Sequence, residues 1–274
     1  MGSMKVSLDL VIDSGDEDVD MEYALQTLLA ASGVTSVITE AVLRGKVKEK
    51  IYPKNEVRTK LKHSFTGSYG MCFDVIILDK KIQNRLTNMT RSIFSEVMSY
   101  YIYESLFIEA PKISNAAEGV IKSLEDIEDE LTKTLRNRLK NMHKISEMCS
   151  YPVHLNYRRP GEKQNIATLN EHTALNISEL VESDTIDEIE VIITRFNTFT
   201  GNGRLLINGD VKTISFGFLN GLKYVTESQK KIVSQNLHDN NDVPEENRKH
   251  ITLRVKNLAI SNGDIVKYLI TEVI

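Results

Sequence analysis

Apolar and polar positions along the chain change period twice, and the expected elements follow from those changes. Val6 to Ile12 alternates loosely, which predicts a short strand running into the acidic loop Asp13-Ser14-Gly15-Asp16-Glu17-Asp18. Met21, Leu25, Leu28, Leu29, Ile38 and Val42 then recur at helical spacing. A carboxylate at Asp18 or Asp20 can accept the free N–H groups of a first turn, and Gly45 supplies a stop. One long helix is expected, with a soft point at Ser32-Gly33. Next, Val57, Thr59, Leu61, His63 and Phe65 alternate with Glu56, Arg58, Lys60, Lys62 and Ser64. Period two with one charged face marks a strand with one side in water, and His63 falls in phase with the apolar side. Thr66-Gly67-Ser68-Tyr69-Gly70 turns the chain into a more apolar strand, Met71 to Leu78, completing a hairpin.

Helical spacing then returns. Ile82, Leu86, Met89, Ile93, Val97, Tyr101 and Leu106 predict one helix ending before Pro111. Leu124, Ile127, Leu131, Leu135, Leu139, Met142 and Ile145 mark a second stretch, about 114–148, with a break near Gly119. Glu125, Asp126, Glu128, Asp129 and Glu130 precede Lys133, Arg136, Arg138 and Lys140, an order that suits the helix dipole. The apolar stripe is narrow, so the helix is expected to pack on one partner helix, from this chain or from a second subunit. Pro152 and Pro160 bracket Arg158-Arg159, and this composition predicts a boundary. A short strand near Ile166 to Leu169 is the only element suggested in the linker.

Beyond Thr185 the period is that of strands: Ile189 to Phe196, Arg204 to Ile207 and Val211 to Phe218, with Gly201-Asn202-Gly203 and Asn208-Gly209 as turns. A helix fits Thr226 to Leu237, and two more strands fit His250 to Leu258 and Ile265 to Val273. The order β-β-β-α-β-β matches the OB-fold, a small five-stranded barrel. The expected fold is therefore α+β: an N-terminal strand, a long helix, a β-hairpin and a helical bundle, then an OB-like barrel. The expected organisation is a helix-rich domain over 4–150, a linker over 151–183 and the barrel over 184–274.

Composition narrows the function more than it defines it. A formal net charge of −4 lacks the basic excess of a chain whose main task is to grip phosphate backbone. Cys72 and Cys149 are far apart, with no metal-ligand spacing, and are read as buried thiols rather than a disulfide. No run of about 20 consecutive apolar residues suggests a membrane span. The opening Met1-Gly2-Ser3-Met4 reads as a short scar ahead of a native Met4 rather than a signal peptide, so a cytoplasmic location is expected.

No catalytic motif stands out, and no cofactor or metal is expected. The acidic loop, with Asp13, Asp16, Glu17, Asp18 and Asp20, has the oxygen donors a hard cation wants. It lacks the glycine and closing glutamate of an EF-hand, and helix capping explains it as well. The histidines His63, His143, His154, His172, His238 and His250 form no i,i+4 pair. An enzymatic site would need distant groups to converge, and Asp13, Asp16, His63 and Asp74 are the first set to test. In the last third, Arg195, Phe199, Arg204 and Lys212 place basic and aromatic residues on the first strands and their turns, together with Phe196, Phe216 and Phe218. Such a surface can stack bases and hold phosphates, whereas the same aromatics can equally fill a barrel interior.

The stretch Thr194-Arg195-Phe196-Asn197-Thr198-Phe199-Thr200-Gly201-Asn202-Gly203-Arg204, continuing to Ile214-Ser215-Phe216, resembles the barrel of an uncharacterised bacterial family. That family pairs a helical N-terminal domain with a small C-terminal five-stranded β-barrel. The resemblance implies an origin among bacterial accessory genes, some of which serve defence against phage, and brings no catalytic residues with it. Three functions follow in order of expectation. The first is a non-enzymatic protein-interaction or assembly component, self-associating or docking a partner. The second is single-stranded nucleic-acid binding through the barrel. The third is an enzyme with an unrecognised site.

Overall fold

The computed structural model describes residues 4–48, 56–65, 69–159 and 162–274. The chain divides into two compact units. The first comprises Met1–Leu106 and Ala110–Ile177, the second Phe107–Glu109 and Ser178–Ile274.

In the first unit, β1 (Met4–Ile12) leads through the acidic loop into α1 (Met21–Arg44). The Asp20 carboxylate caps α1 by accepting from the Tyr23 N–H at 3.0 Å, and Gly45 ends it in the left-handed conformation. Strands β2 (Val57–Phe65) and β3 (Tyr69–Ile77) form the expected hairpin, although its turn at Thr66–Ser68 lies outside the described residues. A bulge between Leu61 and His63 interrupts the alternation. His63 therefore pairs opposite Cys72 and is exposed, not part of the apolar side as its parity suggested.

The helix expected over Ile82–Leu106 is two helices, α2 (Lys80–Met89) and α3 (Arg91–Ser105). The chain breaks at Thr90, which has φ 67° and whose hydroxyl accepts from the Ile93 N–H to start α3. The acidic-to-basic stretch yields α4 (Asn115–Lys122), α5 (Glu128–Met142) and α6 (Lys144–Cys149). Its stripe Leu124, Leu131, Leu135, Leu139, Met142 and Ile145 is buried, and α5 packs on α1 and α3. The single helical partner expected for this stripe thus becomes two, both from this chain.

The linker expected at 151–183 is largely part of the first unit. Strands β4 (Val153–Arg159) and β5 (Glu162–Leu169) form a hairpin, followed by α7 (Glu171–Leu175). Pro152 stands immediately before the first strand residue, where a missing N–H is tolerated; Pro160 lies outside the described residues. Val153, Leu155 and Tyr157 are buried in the core, so β1 gains a second antiparallel neighbour and the sheet order is β2-β3-β1-β4-β5. Helices cover the face carrying Val6, Leu8, Leu10 and Ile12. The 18-residue apolar window of α1 is long and apolar enough to cross a membrane, yet 72% of it is buried within the protein.

In the second unit, β7 (Asp187–Phe196), β8 (Gly203–Ile207), β9 (Ile214–Phe218), β10 (Ile251–Ile260) and β11 (Ile265–Val273) close a five-stranded barrel. Neighbours pair β7-β8-β9-β11-β10 and back to β7, all antiparallel except the parallel β9–β11 contact. A short β6 (Leu180–Glu182) extends the sheet along the far half of β10. The helix α8 (Glu227–Asp239) begins with a capping box between Thr226 and Gln229 and sends Val233 into the barrel core. Among the described residues, β2 and β3 pair with no strand of the barrel, so the two sheets are separate.

Candidate interaction surface

An exposed apolar surface lies in the first unit, where the first half of α1 faces the β2–β3 hairpin. The residues of α1 that enter the core there are small: Ala24, Thr27, Ala30 and Ala31. Thr27 accepts a hydrogen bond from the Ile145 N–H at 3.2 Å, holding α1 close to α6. The large side chains of the same turns point elsewhere. Leu25 is 48% exposed and Leu29 76%, and across from them Leu61 of β2 is 65% exposed. With Leu28, Thr59, Tyr69, Met71 and Phe73 they line a groove of about 350 Å³. The Ser32 hydroxyl meets that of Thr59 at the groove wall.

Met21, Leu25, Leu28 and Leu29 look like a core stripe by spacing alone. The overlooked signal is the second stripe, Ala24-Thr27-Ala31, whose small side chains let the helix approach α6 closely. A helix with a small-residue face toward its own fold leaves these leucines at the surface.

The sheet has two outer strands, and they are treated differently. Along β5, α3 supplies the missing hydrogen bonds. The Ser99 hydroxyl donates to the Ile166 carbonyl at 2.7 Å, and the Tyr103 hydroxyl accepts from the Thr168 N–H at 3.3 Å. Along β2, one side pairs with β3, and among the described residues no strand or capping side chain bonds the other side of Thr59–Leu61.

The sheet face opposite the helices is polar, with two carboxylates set among more cations. Asp9 is fully buried there; its Oδ1 accepts from Asn156 at 2.8 Å and its Oδ2 lies 3.7 Å from Arg158 and from Lys163. Asp74 accepts from the Ser7 hydroxyl at 2.7 Å and lies 3.6 Å from Lys5 and 3.3 Å from Lys62. Arg158 also contacts the Cys72 sulfur, and the Phe65 ring lies beneath Lys163 at 5.0 Å. Each carboxylate thus has two long cationic side chains beside it, which offsets the cost of burying its charge.

The candidate enzymatic set does not assemble. Asp74 pairs opposite Ser7, six residues along β1 from Asp13, which puts them on the order of 20 Å apart. Asp13 lies 4.0 Å from His154 instead. Among the described residues no group of three or more His, Cys, Asp or Glu side chains is placed to hold a metal.

On the barrel, the four basic and aromatic candidates have different fates. Arg204 is only 3% exposed. Its guanidinium donates to the Thr213 hydroxyl at 2.8 Å, the Thr213 carbonyl at 2.9 Å and the Ser215 hydroxyl at 3.1 Å. Thr213 in turn donates to Glu109 at 2.7 Å, so Arg204 serves as a cross-strand tie rather than a phosphate ligand. Arg195 is half-buried, directly opposite Arg204 in the β7–β8 register. Phe199 and Lys212 are exposed, and the Asn197 side chain shapes the Phe199 loop by accepting from the Phe199 and Thr200 N–H groups. Phe216 fills the interior, stacked on Phe196 at 6.1 Å.

His143 is a buried titratable group with a large shift. Burial pulls its pKa down to about 4, against a smaller upward pull from its hydrogen bond to the Leu139 carbonyl. It is a core residue that joins the end of α5 to Thr173 of α7 at 2.8 Å.

In comparisons with known proteins the chain matches no family model, no curated protein and no solved structure.

Proposed function

We propose that this chain is a non-enzymatic protein-interaction component that docks its partner in the groove between α1 and the β2–β3 hairpin. The observation that carries the reading is the exposure of Leu25, Leu29 and Leu61 around one concave apolar surface. Contiguous apolar surface left open by a folded chain marks an interaction site, and fully burying a leucine is worth about 1.5–3 kcal/mol. The α5 stripe does not support self-association, because α1 and α3 already cover it. A bacterial accessory or phage-defence setting rests on the barrel resemblance alone.

The test is a photo-activated benzophenone at position 29 in cells that express the protein. It is expected to cross-link a discrete protein, and Leu25→Asp to abolish the product. Val211, 93% exposed on the second unit, is the control position. Equal cross-linking from positions 29 and 211 refutes the reading.

A second reading has its own support. We read the barrel's pairing order, with the parallel β9–β11 contact and a helix between β9 and β10, as OB-like, and OB-folds often bind single strands. Phe199 and Lys212 are its accessible candidates. Labelled DNA and RNA oligomers at low salt should then bind in a manner weakened by Phe199→Ala and by added salt, and no binding at low salt ends this alternative.

A further inference from the structure

We propose that β2 accepts an extended partner segment as a sixth strand of the first unit's sheet, and that this segment alternates apolar with acidic residues. This rests on the docking reading above and specifies the chemistry of the partner.

Three observations lead to it. First, the outer strands differ: Ser99 and Tyr103 seal β5, whereas the far side of β2 has no such seal among the described residues. An unpaired strand edge offers a row of N–H and C=O groups that an incoming strand can satisfy, which is the basis of β-strand addition. The bulge between Leu61 and His63 limits regular pairing to Val57–Leu61, and the groove lies beside that stretch at Thr59 and Leu61.

Second, successive side chains of an added strand point to opposite faces. Those on the groove side land against Leu61, Leu25 and Leu29, which calls for apolar residues. Those on the other side land next to Lys60, which pairs in register with Asp74, and Lys62, which lies 3.3 Å from that carboxylate. Asp74 is already served by Lys5 and Lys62, and Lys60 is exposed with no ion pair among the described residues. A carboxylate on the incoming strand is the complement this face lacks.

Third, the same face argues against a second copy of β2 as the occupant. Antiparallel self-pairing over this stretch would bring Lys60 of one copy beside Arg58 of the other, and like charges across a strand pair are destabilising. The partner therefore carries the opposite charge.

The experiment uses the full chain and fluorescein-labelled peptides of about eight residues, read by anisotropy. The probes are an alternating valine–glutamate peptide, its valine–lysine counterpart, and the valine–glutamate peptide with alternate amides N-methylated. The first is expected to bind at least on the order of tenfold more tightly than either of the others. Lys60→Glu should reverse the preference between glutamate and lysine peptides, and Leu61→Asp should abolish binding of both. Both positions are exposed, so unchanged circular dichroism will confirm that the variants fold. Equal binding of the methylated and unmethylated peptides, indifference to Lys60→Glu, or no binding by the wild-type chain overturns strand addition. If that happens while the benzophenone at position 29 still finds its protein, the docking reading stands and only the strand mode falls. Loss of both removes the groove as a docking site.

Discussion

Acidification should loosen the first unit through His143. The ring is fully buried between the end of α5 and the start of α7. Its Nδ1 lies 2.7 Å from the Leu139 carbonyl, which can only accept, so Nδ1 carries the proton. Nε2 then accepts from the Thr173 hydroxyl at 2.8 Å. Adding a second proton places a charge where water cannot reach it, and burial holds the folded pKa at about 4, below the ordinary 6.5. The sign follows from linkage: between those values the unfolded chain binds the extra proton and the folded one does not. Stability is therefore unaffected above about pH 6.5 and is lost as pH falls toward the folded pKa. The loss from this one group amounts to about 2 kcal/mol by pH 5 and about 3 kcal/mol by pH 4. Because carboxylates titrate in the same range, the measurement is a difference. Urea unfolding followed by circular dichroism at a helix wavelength compares the wild type with His143→Gln at several pH values. The variant starts less stable at neutral pH, and the gap should narrow by these amounts on acidification. A gap that stays constant from pH 7 to pH 4 refutes the reasoning.

Other outcomes follow from the same geometry. A Cβ at position 203 would meet the Arg195 carbonyl oxygen and come within 2.5 Å of Phe216 Cζ, so Gly203→Ala should destabilise the barrel by about 1–3 kcal/mol in urea unfolding. Arg204→Ala leaves Thr213 and Ser215 without their donor and should cost the barrel about 2–4 kcal/mol. If nucleic acid binds, its affinity should fall only as far as the barrel unfolds. In native protein a thiol reagent should modify Cys149, which is half-buried, well before Cys72, which is buried under the Arg158 side chain; mass spectrometry of the labelled peptides checks the order.

Periodicity was a good guide wherever one face of an element is buried and the other is wet. Strand β1, helix α1 with its Asp20 and Gly45 ends, the 57–77 hairpin and the five barrel strands are all legible in that way. It failed where local chemistry overrides the pattern. The break at Thr90 sits inside an unbroken apolar repeat, and the bulge after Leu61 changes the side of every later residue in β2. The β4–β5 hairpin was hidden by its prolines: Pro152 and Pro160 read as a boundary, although a proline just before a strand is compatible with a sheet interior. Site residues were harder still. Arg204 has the composition of a phosphate ligand, and only tertiary contacts reveal its bonds to Thr213 and Ser215. The groove was invisible because leucines at helical spacing look the same whether they face a core or a partner.

The central position of β1 has a consequence for biosynthesis. This strand is made before both of its neighbours, one of which is β4, and Asp9 waits for Asn156, 147 residues later. At about 5–20 residues per second, translation takes roughly 7–30 s to deliver it. Throughout that interval an apolar strand emerging from the ribosome has one bare margin. The nascent chain needs either early cover from α1 or the attention of a chaperone before its sheet can close.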